Sequence, residues 1–204
     1  MWATARRSAW PATPTSAPGP TAGRCAEAMT GAAQPLGARD DLVTPRLTIR
    51  RQTLADTAAL HALMSDWALV RNTGRWPYPV TRDFVAQRIV ERDTQPGLYG
   101  IARREGRVIG TAQAADGEIG YLIAQAEWGQ GYATEAARAL VAYGFDTLGW
   151  PEVRAKVWAD NPASSRVLIK LGFREAELFT DHNMARGQDL PSILYLLPKR
   201  DWEG

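Results

Sequence analysis

Ala137, Leu140, Val141, Phe145 and Leu148 recur at helical spacing, closed by Gly149 and Pro151, with strand-like apolar runs on both sides. A helix with one apolar stripe must bury it, and the flanking runs make a sheet the surface for it. Strands joined through a helical crossover pair in parallel, whereas strands joined by tight turns pair antiparallel. This chain has both connections. Runs at 98–102, 108–112 and 119–123 are punctuated by Gly106 and Gly117, and a run at 153–157 follows the helix. Leu47-Thr48-Ile49 alternates with Arg46 and Arg50 as a further strand. Leu54, Ala58, Leu60, Leu63 and Met64 predict a helix with Asp56 at its start, and Phe84, Ile89 and Val90 predict a second. A helix over 164–171 ends at Gly172, and strands around 175–179 and 193–197 close the chain. The order β-α-α-β-β-β-α-β-α-β-β predicts an α/β fold, α+β in its mixed sheet.

The 204 residues allow one domain with an appendage. Residues 1–40 are mostly Ala, Pro, Thr, Ser and Gly, with Leu36 the only Leu, Ile, Val or Phe. Such a segment cannot bury enough apolar surface to offset its ordering entropy, so it is expected to be a disordered tail before a domain at 41–204. It reads equally as a transit-type segment or as sequence upstream of an initiator at Met29. Arg6-Arg7 is followed by Pro11, Pro14, Pro18 and Pro20 rather than by the apolar run of an export signal. The formal charge of +2 resides in this tail; beyond it, acids and bases balance. A nucleic-acid-binding surface therefore lacks the basic excess it requires, and no run is long and apolar enough for a membrane helix. The single Cys25 rules out an intrachain disulfide and points to a reducing, cytoplasmic setting. His61 falls in an apolar helical stripe and His182 in an expected hairpin loop, neither with metal-ligand company, so no metal is expected.

Trp128-Gly129-Gln130-Gly131-Tyr132-Ala133-Thr134-Glu135 links a strand to the strongest helix. Two glycines free the backbone for close approach, and amides at a helix N-terminus favour negative charge. The spacing is neither that of a nucleotide P-loop nor G-x-G-x-x-G. Alone, it reads equally as a pyrophosphate cradle or a tight turn.

With three further segments, the sequence resembles the GNAT superfamily of acyl-CoA-dependent N-acetyltransferases, in the branch of the Rim-type ribosomal-protein acetyltransferases. Thr44-Pro45-Arg46-Leu47-Thr48-Ile49-Arg50 is similar to that branch's opening strand, and Glu118-Ile119-Gly120-Tyr121-Leu122-Ile123 to its fourth. Trp128 to Ala133 resembles the Q/R-x-x-G-x-G/A loop, with Trp128 at the Gln/Arg position. Asn161-Pro162-Ala163-Ser164-Ser165-Arg166-Val167-Leu168-Ile169-Lys170-Leu171-Gly172-Phe173 is similar to N-x-x-S-x-x-V-L-x-K-L-G-F.

The resemblance implies a splayed central sheet with pantetheine in the gap, paired to main-chain groups of Tyr121, Leu122 and Ile123. Amides of the loop Trp128, Gly129, Gln130, Gly131, Tyr132, Ala133 and Thr134 would hold the pyrophosphate of acetyl-CoA. It further implies transfer of acetyl to a primary amine, either a protein N-terminus or a small molecule. Cys25, the only cysteine, lies in the tail, so transfer would be direct within a ternary complex. Many superfamily members place a tyrosine where this chain has Leu168; the Rim-like branch implies Ser164 near the sulfur instead. Ser164 is otherwise a first-turn helix residue, and Asn161 either an N-cap, a pantetheine ligand or both. Glu118 is the candidate base, its pKa expected to be raised by burial, or else a solvated edge carboxylate. By resemblance, Trp76 and Tyr78 in the aromatic, basic segment 71–79 form an acceptor wall; alternatively they pack as a rigid loop. Without the tyrosine, a non-catalytic acyl-CoA-binding module is the alternative function.

Overall fold

The computed structural model describes residues 41–204; the expected tail at 1–40, with Cys25 and Met29, lies outside the described residues. Short β1 (Leu42–Val43) and β2 (Thr48–Arg51) precede α1 (Thr57–Met64), α2 (Trp67–Val70) and α3 (Arg82–Asp93). Strands β3 (Leu98–Arg104), β4 (Arg107–Ala115) and β5 (Glu118–Ile123) form a meander. Helix α4 (Tyr132–Asp146) crosses to β6 (Glu152–Trp158), and α5 (Pro162–Lys170), β7 (Arg174–Asn183) and β8 (Gln188–Pro198) follow.

The eight strands make one sheet in the order β1-β2-β3-β4-β5-β6-β8-β7. The tight turns give antiparallel pairs, and the α4 crossover gives the parallel pair β5–β6. That pair is joined at a single register position, Glu118 opposite Arg154, with the Arg154 N–H donating to Gly117 O at 2.8 Å. Beyond it the two strands part, which is the expected splay.

The apolar stripe of α4 is the centre of one core. Ala136, Ala137, Leu140 and Val141 have no exposed surface and pack with Ile119, Ile123, Val153, Val157 and Leu168. Each large side chain buried this way contributes ~1.5–3 kcal/mol before entropy is counted. The opposite face of the sheet is covered by α1 and α3, whose Leu60, Met64, Val85 and Ile89 join Trp76, Val80 and Ile101 in a second cluster.

One element was not foreseen, and two expectations need correcting. The four residues of α2 form a helical turn capped by Asp66, whose carboxylate accepts from the Ala68 N–H. Leu54 and Val90 are exposed rather than core-facing. His182 is not in a loop: it sits in β7 opposite Asp189, its Nδ1 2.8 Å from that carboxylate, and the hairpin turns at 184–187. By contrast His61 is half-buried with Nε2 3.2 Å from Val80 O, as the stripe implies.

Candidate functional site

The loop before α4 owes its shape to its glycines. Gly129 and Gly131 have φ of 75° and 83°, the left-handed region that side chains disfavour. Gly131 is the N-cap and, without a side chain, satisfies none of the first amides of α4. By helix geometry the N–H groups of Tyr132, Ala133 and Thr134 have no intrahelical acceptor. A Cβ at Gly129 would meet nothing within 4 Å, so the loop's outer side is open. An uncapped helix start beside open space and aligned peptide dipoles is the arrangement an anionic phosphate needs.

Arg46 braces this loop from the far end of the sequence. Its Nη1 donates to Gln130 O at 2.9 Å, its Nε to Glu135 at 2.6 Å, and its guanidinium lies 4.5 Å over the Tyr132 ring. The Arg46 N–H and the Thr44 hydroxyl also donate to Glu135. Burial alone raises the Glu135 pKa, but these bonds outweigh it and hold the carboxyl below its ordinary value. The Gln130 side chain donates to Glu127, a buried carboxylate also paired with Arg104 and Arg107.

The gap between β5 and β6 has a defined backbone lining. The Ala124 N–H donates to Ile109 O, which sets the phase of the β4–β5 ladder. By antiparallel alternation, Gly120 and Leu122 direct their backbone groups at β4, whereas Tyr121 and Ile123 direct theirs at the gap. Of the three residues expected to pair with pantetheine, Leu122 therefore presents no main-chain group to it. The Trp128 indole N–H donates to Ile123 O at 2.7 Å, so this half-exposed ring occupies the gap-side carbonyl of Ile123.

Across the gap, Asn161 caps α5: its side chain accepts from the Ser164 N–H at 3.3 Å, and Pro162 begins the helix. Leu168, at the position of the family's tyrosine, is fully buried in the core. A tyrosine comes instead from the other wall. Tyr121 Oη lies 3.0 Å from Ser164 Oγ and also donates to Ser164 O at 3.3 Å. Burial pushes the Tyr121 pKa up to about 12 against the opposing effect of the Ser164 bond, so the phenol stays protonated. The sequence contains the signal for this pair only as two short motifs 43 residues apart.

Glu118 starts β5 where the strands part and is half-exposed. Its carboxylate is 3.0 Å from Lys156 Nζ on β6, so the carboxyl expected to be buried is a half-exposed, ion-paired group. Glu118 and Gly120 lie two apart and share one sheet face. Gln113 is opposite Gly120 and Tyr99 opposite Gln113, which extends this row across to β3 on the side covered by α1 and α3. Trp76 is buried there, 5.7 Å from the Phe84 ring, while Tyr78 is exposed and stacks 4.9 Å from Trp67. Trp76 thus belongs to the core under α1 and α3, and Tyr78 packs apart from it on α2.

Comparison with known proteins bears on the family and the fold. Residues 46–174 match the family model described as acetyltransferase (GNAT) domain. The N-acetyltransferase p20 of Bacillus licheniformis is 29% identical over 177 residues, 81% of this chain and 99% of that protein. The N-acetyltransferase YoaA of Bacillus subtilis is 30% identical over 174 residues, 78% of this chain and 96% of that one. Among solved structures, Mycobacterium smegmatis RimJ in complex with a CoA disulfide superposes with a TM-score of 0.68 at 18% identity, covering 78% of this chain and 84% of that one.

Proposed function

The chain belongs to the GNAT acetyltransferase family, and from that premise we propose that it acetylates a primary amine, on a protein N-terminus or a small molecule, by direct transfer from acetyl-CoA. It is an acetyl-CoA-dependent acetyltransferase, which retires the non-catalytic alternative. The observation that carries the site assignment is the parting of β5 from β6 directly beside the uncapped, glycine-opened start of α4.

The residues present suit the co-substrate. The amides of Tyr132, Ala133 and Thr134 would take the pyrophosphate, and the gap-facing backbone of Tyr121 and the Ile123 N–H would take the pantetheine amides. This explains how a charge-balanced domain holds a polyanion, since oriented amides supply positive potential without net charge. Asn161 would serve chiefly by fixing the start of α5, and so Ser164.

In the reaction the amine nitrogen forms a bond to the thioester carbonyl carbon, the C–S bond breaks, and sulfur leaves with its electron pair. Glu118 takes the proton whose loss makes the amine neutral for attack, its position held by Lys156, and the second N–H proton, lost as the amide forms, passes through solvent to the thiolate. A serine hydroxyl is a weak acid, and a thiol of pKa ~8.5 leaves readily as thiolate. Ser164 therefore orients and hydrogen-bonds the sulfur, while the protonated Tyr121 holds the serine in place through its contacts with Ser164 O and Oγ.

Thiol release from acetyl-CoA, measured with and without an amine panel, tests the reading. Amine-dependent release with a matching acetylated product is expected. Release that no amine accelerates would contradict it.

A further inference from the structure

Arg88 and Arg92 converge on the sheet face that carries Glu118, and the exposed Arg75 is near enough to act on both electrostatically. The Arg88 guanidinium lies 5.4 Å from the Trp76 ring and Arg92 4.9 Å from the Tyr99 ring, with Arg92 also 5.9 Å from Trp76. Among the described residues, none of the three forms an ion pair. Arg88 Nε is buried without a hydrogen-bond partner, as is Gln52 Nε2, on a residue whose N–H donates to Tyr99 O. Glu91 and Asp116 are the nearby carboxylates; Glu91 accepts from Gln87, and neither reaches an arginine here.

Burial first, then Arg88 and Arg75, lower the Arg92 pKa to about 10; burial and Arg75 lower that of Arg88. Arg88 and Arg92, partly desolvated over aromatic faces beside the exposed Arg75 and with no carboxylate in ion-pair contact, are costly to maintain. A bound anion would supply the missing partner, and guanidinium suits carboxylate or phosphate bidentately.

The position of the cluster relative to the cleft follows from register. Tyr99 on β3, Gln113 on β4 and Gly120 on β5 lie in one row, so Arg92 above Tyr99 stands two strand spacings, ~10 Å, from the strand that bears Glu118. We infer that Arg75, Arg88 and Arg92 form the acceptor subsite for an anionic group, and that the acceptor is an amine carrying a carboxylate or phosphate roughly 10 Å from its nitrogen. This rests on the acetyl-transfer reading above and narrows its acceptor to acidic amines, excluding polyamines and lysine-rich N-termini.

The test compares kcat/KM for 8-aminooctanoate, whose extended chain spans about 10 Å, with octylamine, and for peptides of one N-terminal residue followed by acidic, uncharged or basic residues. The two sets distinguish a free small acceptor from a protein N-terminus. Wild type should favour the anionic member of at least one set by tenfold or more. Arg88→Gln with Arg92→Gln should abolish that preference through KM, with the KM for acetyl-CoA and the rate on octylamine unchanged, and Arg92→Lys should restore part of it. Equal use of neutral or basic amines, or an equal loss on every acceptor, would overturn the inference while leaving acetyl transfer standing. If no amine is acetylated, the acetyl-transfer reading fails separately, and the subsite is decided by glutarate. At saturating CoA and fixed ionic strength, glutarate should raise the Tm of wild type but not of the double variant. No shift in wild type would overturn the subsite.

Discussion

At the scale of single residues, the site depends on a few side chains and on the lack of one. Gly131 has a left-handed φ, and a Cβ there would lie 3.4 Å from Arg46 Nη2, so Gly131→Val adds both strain and bulk where amides must approach phosphate. Calorimetric titration should show CoA affinity falling at least tenfold while the far-UV spectrum is kept. Glu118→Gln should lower kcat by ~10²–10⁴ near neutrality and recover partly as pH rises, because an amine of pKa ~8–10 then needs no base. A variant with wild-type rate and pH profile would make Glu118 a surface partner of Lys156 only. Tyr121→Phe should reduce kcat less than Ser164→Ala, since the phenol acts on sulfur only through the serine hydroxyl.

At the scale of elements, two carboxylates tie the beginning of the domain to its helices. Asp56 is buried and takes two bonds from Arg50, 2.9 and 2.7 Å, as well as the Thr53 N–H. Its burial raises the pKa, but the Arg50 and Thr53 bonds prevail and depress it, as the bonds from Thr44 and Arg46 do for Glu135. Carboxyls depressed in the folded state contribute stability above their unfolded values, ~4, and lose it as pH falls through the folded ones. The Tm should therefore drop steeply below about pH 4, and less steeply in Asp56→Asn and Glu135→Gln. Asp56→Asn should cost on the order of 2 kcal/mol at pH 7 in denaturant unfolding, because it leaves the Arg50 guanidinium without its counterion.

The elements differ in how far they could be read from sequence, for physical reasons. Helix α4 and the β3–β5 meander carry strong periodicity and glycine turns, and both stand where expected. Helix α2 is four residues long, shorter than one period of any pattern. Strand β7 is an edge strand exposed on nearly every residue, so no alternation betrays its true extent or the place of His182 in it. The Arg46–Glu135 brace, the Glu118–Lys156 pair and the Tyr121–Ser164 contact join residues far apart in sequence, and only folding brings them together. The glycine loop and the Asn161 cap were legible because each is local.

At the scale of the whole molecule, the domain at 41–204 is proposed to hold the entire cofactor and acceptor machinery. A chain beginning at Asp41 should keep the Tm and CoA affinity of the full chain, by differential scanning and calorimetric titration. The central claim is that coenzyme A lies in the gap between β5 and β6 with its phosphates on α4. Hydrogen–deuterium exchange of the full chain with and without saturating CoA tests it most directly. Protection is predicted in peptides covering 121–124, 129–135 and 161–165, with α3 and the β7–β8 hairpin unchanged. Protection confined to α3 or to β7 and β8, or none at saturation, would contradict the placement.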